Sequence, residues 1–146
     1  MSPDALKHFG LLAELSEEDR EILAEILEER TLLDGKSAFR EGAEADGLVL
    51  LQSGRLKLKS RRAGDVIGTL EAPQHLGAAS LFAVGKREVT ALAQGPTTIL
   101  LLSRSGLARL LEDAPRAAFR IAEAVAGELS GLVRQRLDTL VDHDLT

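Results

Sequence analysis

Glycine punctuates the middle of this chain. Gly35, Gly42, Gly47, Gly54, Gly64, Gly68, Gly77 and Gly85 separate short apolar or alternating segments around residues 30–33, 37–40, 48–52, 55–60, 65–70, 89–93 and 97–102. Short strands at this spacing, with a turn at each break, predict an antiparallel sandwich or barrel. No internal repeat and no low-complexity segment interrupts the pattern.

Helices flank this region. Ser16 is an N-cap, and Glu17, Glu18 and Asp19 place negative charge at the positive end of the helix dipole that follows. Ile22, Leu23, Ile26 and Leu27 share a face, which predicts a helix over 17–29. Ser103 caps a shorter helix carrying Leu107, Leu110 and Leu111, and Pro115 suits the first turn of another. From there to about Asp142 no proline intervenes, and Ile121, Val125, Leu129, Leu132, Val133 and Leu140 share one face, with Arg136 inside the stripe. At ~1.5 Å per residue that helix is ~40 Å long, more than a domain of this size covers by itself. Part of the stripe is expected to meet a partner helix, most simply the same helix in a second copy, which makes the chain a homodimer; the alternative is a helix packed only on its own barrel.

Composition narrows the function. The 146 residues carry 18 Lys or Arg and 23 Asp or Glu, for a net charge of −5, which argues against a surface built to hold nucleic acid. With no cysteine, disulfides, thiolate metal sites and thiol nucleophiles are excluded. Tyr and Trp are absent and Phe occurs only four times, so a base-stacking platform is not expected. The longest apolar runs, Leu48–Leu51 and Ile99–Leu102, are too short to span a bilayer, and Met1–Gly10 has no signal-peptide core. The expected location is cytoplasmic, without membrane contact. His8, His75 and His143 form no metal-ligand pair. No Gly-x-Ser-x-Gly elbow or paired carboxylates stand out, so an enzyme is not expected. Arg55, Lys57, Lys59 and Arg61 alternate with Leu56, Leu58 and Ser60, giving one strand a basic face, with Arg62 extending its tip. That face is either solvated or a docking surface for an acidic protein partner.

Phe39-Arg40-Glu41-Gly42, the hairpin Leu48–Leu58 around Ser53-Gly54, and Gly64–Leu70 occur in an order that resembles the cyclic-nucleotide-binding domain of catabolite-activator/FNR-type bacterial regulators and of cyclic-nucleotide-gated channels and kinases. The resemblance runs from about Phe9 to Leu140. It implies a mainly β fold with flanking helices: N-terminal helices over 8–29, a double-stranded β-helix or jelly-roll β-roll over 30–102, and C-terminal helices over 103–142 ending in a dimerisation helix. It also implies a phosphate-binding cassette over 76–90, a short helical turn whose backbone N–H groups meet the ligand's cyclic phosphate. Gly77, Ala78, Ala79, Ser80, Arg87, Glu88 and Val89 are then the ligand-binding positions. Gly77 matches the glycine that lets the backbone approach the phosphate, and Arg87 matches the arginine that pairs with it.

Two positions depart from the family pattern. Ala78 stands where the family has the glutamate that accepts the ribose 2′-hydroxyl, and Glu88 replaces a Ser or Thr that donates to the phosphate. A lost hydrogen bond involving a charged group costs ~1.5–3 kcal/mol, and a carboxylate ~4 Å from a phosphate adds ~4 kcal/mol at an effective dielectric of 20. If Glu88 points inward both terms apply; if outward, only the ribose term. In a third arrangement Glu88 pairs with Arg87 and occupies the phosphate position itself. Cyclic AMP or cyclic GMP binding is therefore expected to be weak or lost, and no cofactor is expected beyond such a nucleotide or another small anion. The resulting expectation is a regulatory module that signals through its C-terminal helix and dimer. The alternatives are a protein-interaction module with a self-filled pocket, a haem or gas sensor using His75, or the effector part of a transcription regulator. Asp142–Thr146 close the sequence with acidic residues in place of a winged helix-turn-helix, so this chain itself is not expected to bind DNA.

Overall fold

The computed structural model describes residues 2–144. Met1, Leu145 and Thr146, the outermost residues of the N-terminal segment and of the acidic C-terminal run, lie outside the described residues. After two 3-10 turns at Pro3–His8 and Gly10–Leu12 comes α1 (Glu17–Ile26), capped as expected by Ser16 Oγ, which accepts the Asp19 N–H at 3.1 Å. Eight strands follow: β1 (Glu28–Leu32), β2 (Ser37–Phe39), β3 (Leu48–Ser53), β4 (Arg55–Ser60), β5 (Asp65–Glu71), β6 (Gln74–Leu76), β7 (Thr90–Ala93) and β8 (Thr97–Leu102). The 3-10 turn Ala78–Leu81 stands between β6 and β7, and α2 (Arg104–Asp113) and α3 (Pro115–Asp144) close the chain.

The strands form two antiparallel sheets, in the orders β1-β8-β3-β6 and β2-β7-β4-β5. The first sheet lies between the second and a helical layer, which explains the unbroken apolar run of β3. Val49 and Leu51 face Leu56, Ala91 and Ile99 between the sheets, while Leu48 and Leu50 join Leu100, Leu102, Leu23 and Leu110 under the helices. A strand buried on both faces has no polar side to alternate with. The result is the jelly-roll β-roll with flanking helices.

Three boundaries differ from expectation. The first helix ends at Ile26 rather than 29, because Leu27 turns extended (φ −64°, ψ 138°) and Glu28–Leu32 pair with Leu101–Thr97 of β8. The backbone bonds of an edge strand outweigh a helical pattern that had one more turn to run. β6 carries no alternating signal, and its pairing of Leu76 with Val49 and Gln74 with Leu51 makes it a strand. The third difference lies on α3. Ile121 and Val125, expected on the dimer stripe, are 0% and 3% exposed in the chain's own core. Leu129, Leu132, Val133 and Leu140 are exposed, joined by Leu137 and Val141, and Arg136 is exposed beside them. The stripe is continuous, but the domain covers only its first half.

Candidate ligand site in the β-roll

The segment between β6 and β7 is held at both ends by backbone. Gly77 leaves β6 in the left-handed region (φ 73°, ψ 23°) and starts the turn Ala78–Leu81. At the other end, residues 85–87 run antiparallel to the loop after β2: Ala45 N–H donates to the Gly85 carbonyl at 2.9 Å, Arg87 N–H to Ala43 at 2.8 Å and Gly42 N–H to Arg87 at 2.8 Å. The Phe39–Gly42 turn noted in the sequence thus fixes the backbone of Arg87.

The Arg87 side chain is half-buried and crosses the segment it closes. Its Nη2 donates to the Gly47 carbonyl at 3.1 Å, and its guanidinium lies over the Phe39 ring, 4.5 Å from the centroid. Its Nη1 rests where a Cβ on Gly77 would sit. The close approach that glycine permits at position 77 is made here by the guanidinium of Arg87. Burial lowers the Arg87 pKa from the ordinary arginine range, and the field of Asp46 offsets part of that. Among the described residues no carboxylate forms a salt bridge with Arg87: Asp46 turns to Arg104, accepting its backbone N–H at 3.2 Å and meeting Nε at 3.5 Å, and Glu44 meets Arg104 Nη2 at 3.5 Å. Glu88 is exposed and makes no ion pair with Arg87, so the arrangement in which those two neutralise each other is not the one adopted.

Ser80 locks the same corner. Its Oγ accepts the Gly47 N–H at 3.0 Å, and its single proton faces the carbonyls of Gly47 and Gly77, each at 2.6 Å.

A cavity of about 520 Å³ opens against this corner. Gly77, Ala79, Ser80, Arg87, Glu88 and Val89 line it, with Phe39, Leu58 and Val84 from neighbouring segments. Ala78 does not. It is buried in the core under the helices, and borders a separate cleft of about 260 Å³ beneath α3. In that cleft His75 Nε2 meets the Glu128 carboxylate at 2.9 Å, tying β6 to the long helix. The sequence flagged His75 alone; its partner stands 53 positions away on a helix face otherwise read as apolar. Among the described residues no three His, Cys, Asp or Glu side chains gather to hold a metal ion. On β4, Arg55 pairs with Glu71 at 3.2 Å, while Lys57 and Lys59, and Arg61 and Arg62 in the turn after it, have no ion-pair partner among the described residues.

The sequence profile described as "Cyclic nucleotide-binding domain" matches residues 29–114, more than half of the chain. The chain belongs to that family. As a cyclic nucleotide-binding domain it is similar to solved structures over most of its length. The N-terminal domain of a transcriptional regulator from Streptomyces coelicolor A3(2) is 28% identical, with a TM-score of 0.79, and the match covers 88% of this chain and 94% of that one. The catabolite activator protein of Thermus thermophilus is 26% identical with a TM-score of 0.74, over 96% of this chain and 63% of that one. A cAMP-dependent protein kinase regulatory subunit from Yarrowia lipolytica is 26% identical over 106 residues, which are 73% of this chain and 28% of the relative. The domain therefore spans about a quarter of that curated relative.

Proposed function

We propose that residues 1–146 act as one non-enzymatic regulatory domain, cytoplasmic and homodimeric, that receives a small anion at Arg87 and holds cyclic nucleotides weakly or not at all. The observation that carries this is a partly desolvated guanidinium at the wall of a 520 Å³ cavity with no salt-bridge partner among the described residues. Such a cation is stabilised by an anion that reaches it. The adjacent residues disfavour a cyclic nucleotide. Ala78 is apolar and turned into the core, so nothing there accepts a ribose hydroxyl, a loss of ~1.5–3 kcal/mol. Glu88 stays exposed, and in water its repulsion of a phosphate ~4 Å away falls to ~1 kcal/mol. Together they weaken a nucleotide roughly a hundred- to a thousandfold, turning a micromolar ligand into one near millimolar.

Calorimetric titration with cyclic AMP, cyclic GMP and 2′-deoxy cyclic AMP tests this. Dissociation constants of about 0.1 mM or weaker are expected, with the deoxy analogue within about threefold of its parent because no partner for the 2′-hydroxyl remains. Micromolar binding of either nucleotide overturns the weak-binding claim. Glu88→Ser, which removes ~1 kcal/mol of repulsion at the cavity wall, is expected to raise nucleotide affinity up to about fivefold.

Arg87 already donates to Gly47 and stacks on Phe39, which also suits a self-filled pocket in a protein-interaction module. No response to any anion would favour that alternative. For a haem sensor, the Glu128 carboxylate holds the His75 nitrogen that an iron would need. No new absorbance band is expected when haem is added. Among the described residues no helix is long and apolar enough to cross a membrane.

A further inference from the structure

The cavity beside Arg87 has walls that are hard to reconcile with a sugar. Leu58 from β4, Phe39 from β2, and Leu76, Ala83, Val84 and Val89 from the 76–89 segment supply its apolar surface. The Ser80 proton is taken by the carbonyls of Gly47 and Gly77, and its oxygen already accepts the Gly47 N–H. Lys86, Arg87 and Glu88 are the charged residues on the lining, and they adjoin one another at the same end. Val84 is 81% exposed at the rim, an apolar side chain that only a ligand or partner could cover. A hydroxyl carried into such a space gives up water and finds side-chain partners only at the charged end, whereas a hydrocarbon or aromatic body gains from burial along the rest of the wall.

From this we infer that the cavity's occupant is an amphipathic anion with few hydroxyls: a carboxylate or phosphate head at Arg87 on a compact apolar body lying against Leu58, Phe39 and Val84. The inference rests on the reading of Arg87 as the anion's partner, and adds the chemistry of the rest of the ligand. The head displaces the Gly47 carbonyl as an acceptor for Nη2, while Lys86 and Glu88, of opposite charge, flank Arg87 at the same end. The apolar body covers Val84.

Calorimetric titration of the full chain with inorganic phosphate, ribose 5-phosphate, phenyl phosphate and phenylacetate separates the parts. Phenyl phosphate is expected to bind at least tenfold more tightly than ribose 5-phosphate. Val84→Ser is expected to narrow the gap between phenyl phosphate and inorganic phosphate several-fold. Arg87→Gln should abolish binding of every probe, and Arg87→Lys, which keeps the charge but loses the fork, should weaken it tenfold or more; a melting curve confirms that each variant folds. The ratio of phenylacetate to phenyl phosphate affinity identifies the preferred head. Ribose 5-phosphate binding as tightly as phenyl phosphate overturns the ligand class and leaves the anion site standing. No binding of any probe, or binding indifferent to Arg87→Gln, overturns the anion site as well.

Discussion

At the scale of single residues, two glycines do different work against different obstacles. A Cβ on Gly77 would meet Nη1 of Arg87, the far end of a flexible side chain, whereas a Cβ on Gly47 would meet the Leu102 carbonyl, which is backbone. Both glycines have positive φ, 73° and 104°. Gly77→Ala is therefore expected to cost ~1–2 kcal/mol in urea denaturation, the penalty of left-handed backbone, and to push the guanidinium off its seat. Gly47→Ala adds a clash that no rotamer relieves, and should cost about 3 kcal/mol or more. Equal costs for the two would show that the Arg87 guanidinium does not give way at position 77. Ser80→Ala strips the buried Gly47 N–H of its acceptor and should cost ~1–3 kcal/mol by the same measurement, with Ser80→Thr milder. Gly77 and Arg87 were legible in the sequence because the family motif fixes their ten-residue spacing. Ser80 was singled out with them as a ligand-binding position and Gly47 as a turn, but the bond between those two was not legible, because it joins positions 33 apart and leaves no local pattern.

At the scale of elements, α3 is one helix with two environments. Its first half is core: Ile121→Ala removes a fully buried side chain and should destabilise the protomer by ~2–5 kcal/mol in denaturant melts. Its second half carries Leu129, Leu132, Val133, Leu137, Leu140 and Val141, each 44–60% exposed, at the three- and four-residue intervals of a two-helix seam. Leu137→Glu should leave the protomer's melting essentially unchanged at concentrations where it is monomeric, yet convert a dimer to monomer in sedimentation at micromolar protein. A parent chain that sediments as a monomer at high concentration removes the dimer altogether. Periodicity revealed the stripe, because 3.6-residue spacing is written in the sequence. It could not reveal where the stripe leaves the domain, since Ile121 and Leu132, eleven residues apart, have nearly the same helical phase and differ only in what the rest of the chain places beneath them. The end of α1 has the same origin: Leu27–Glu29 continue a helical pattern, and only the distant β8 turns Glu28 and its neighbours into a strand.

For the whole molecule, the proposed regulatory role requires that occupancy of the cavity reach the helices through contacts that change when an anion arrives. Arg87 holds the Gly47 carbonyl, Asp46 next to it holds the first residue of α2 through Arg104, and on the far side of the same segment His75 holds Glu128 of α3. An anion that draws Nη2 away from Gly47 loosens the first of these tethers and leaves the second intact, so α2 responds before α3. The response is small, because the Arg104 contacts are partly exposed and pairs of that kind are worth ~0–1 kcal/mol, up to about fivefold in an equilibrium. A ligand can shift the helices only by its preference for one arrangement over the other. Amide hydrogen exchange with saturating phenyl phosphate should therefore rise up to about fivefold in the first turn of α2, over residues 104–108, with residues 125–132 of α3 changing less. Asp46→Ala removes both the side-chain and the backbone contact through which this segment holds α2, so the exchange difference at α2 should vanish while phenyl phosphate still binds. Unchanged exchange at 104–108 in the parent, with the ligand demonstrably bound, would mean that the cavity is read by another route, and His75→Gln would then be the variant expected to silence α3.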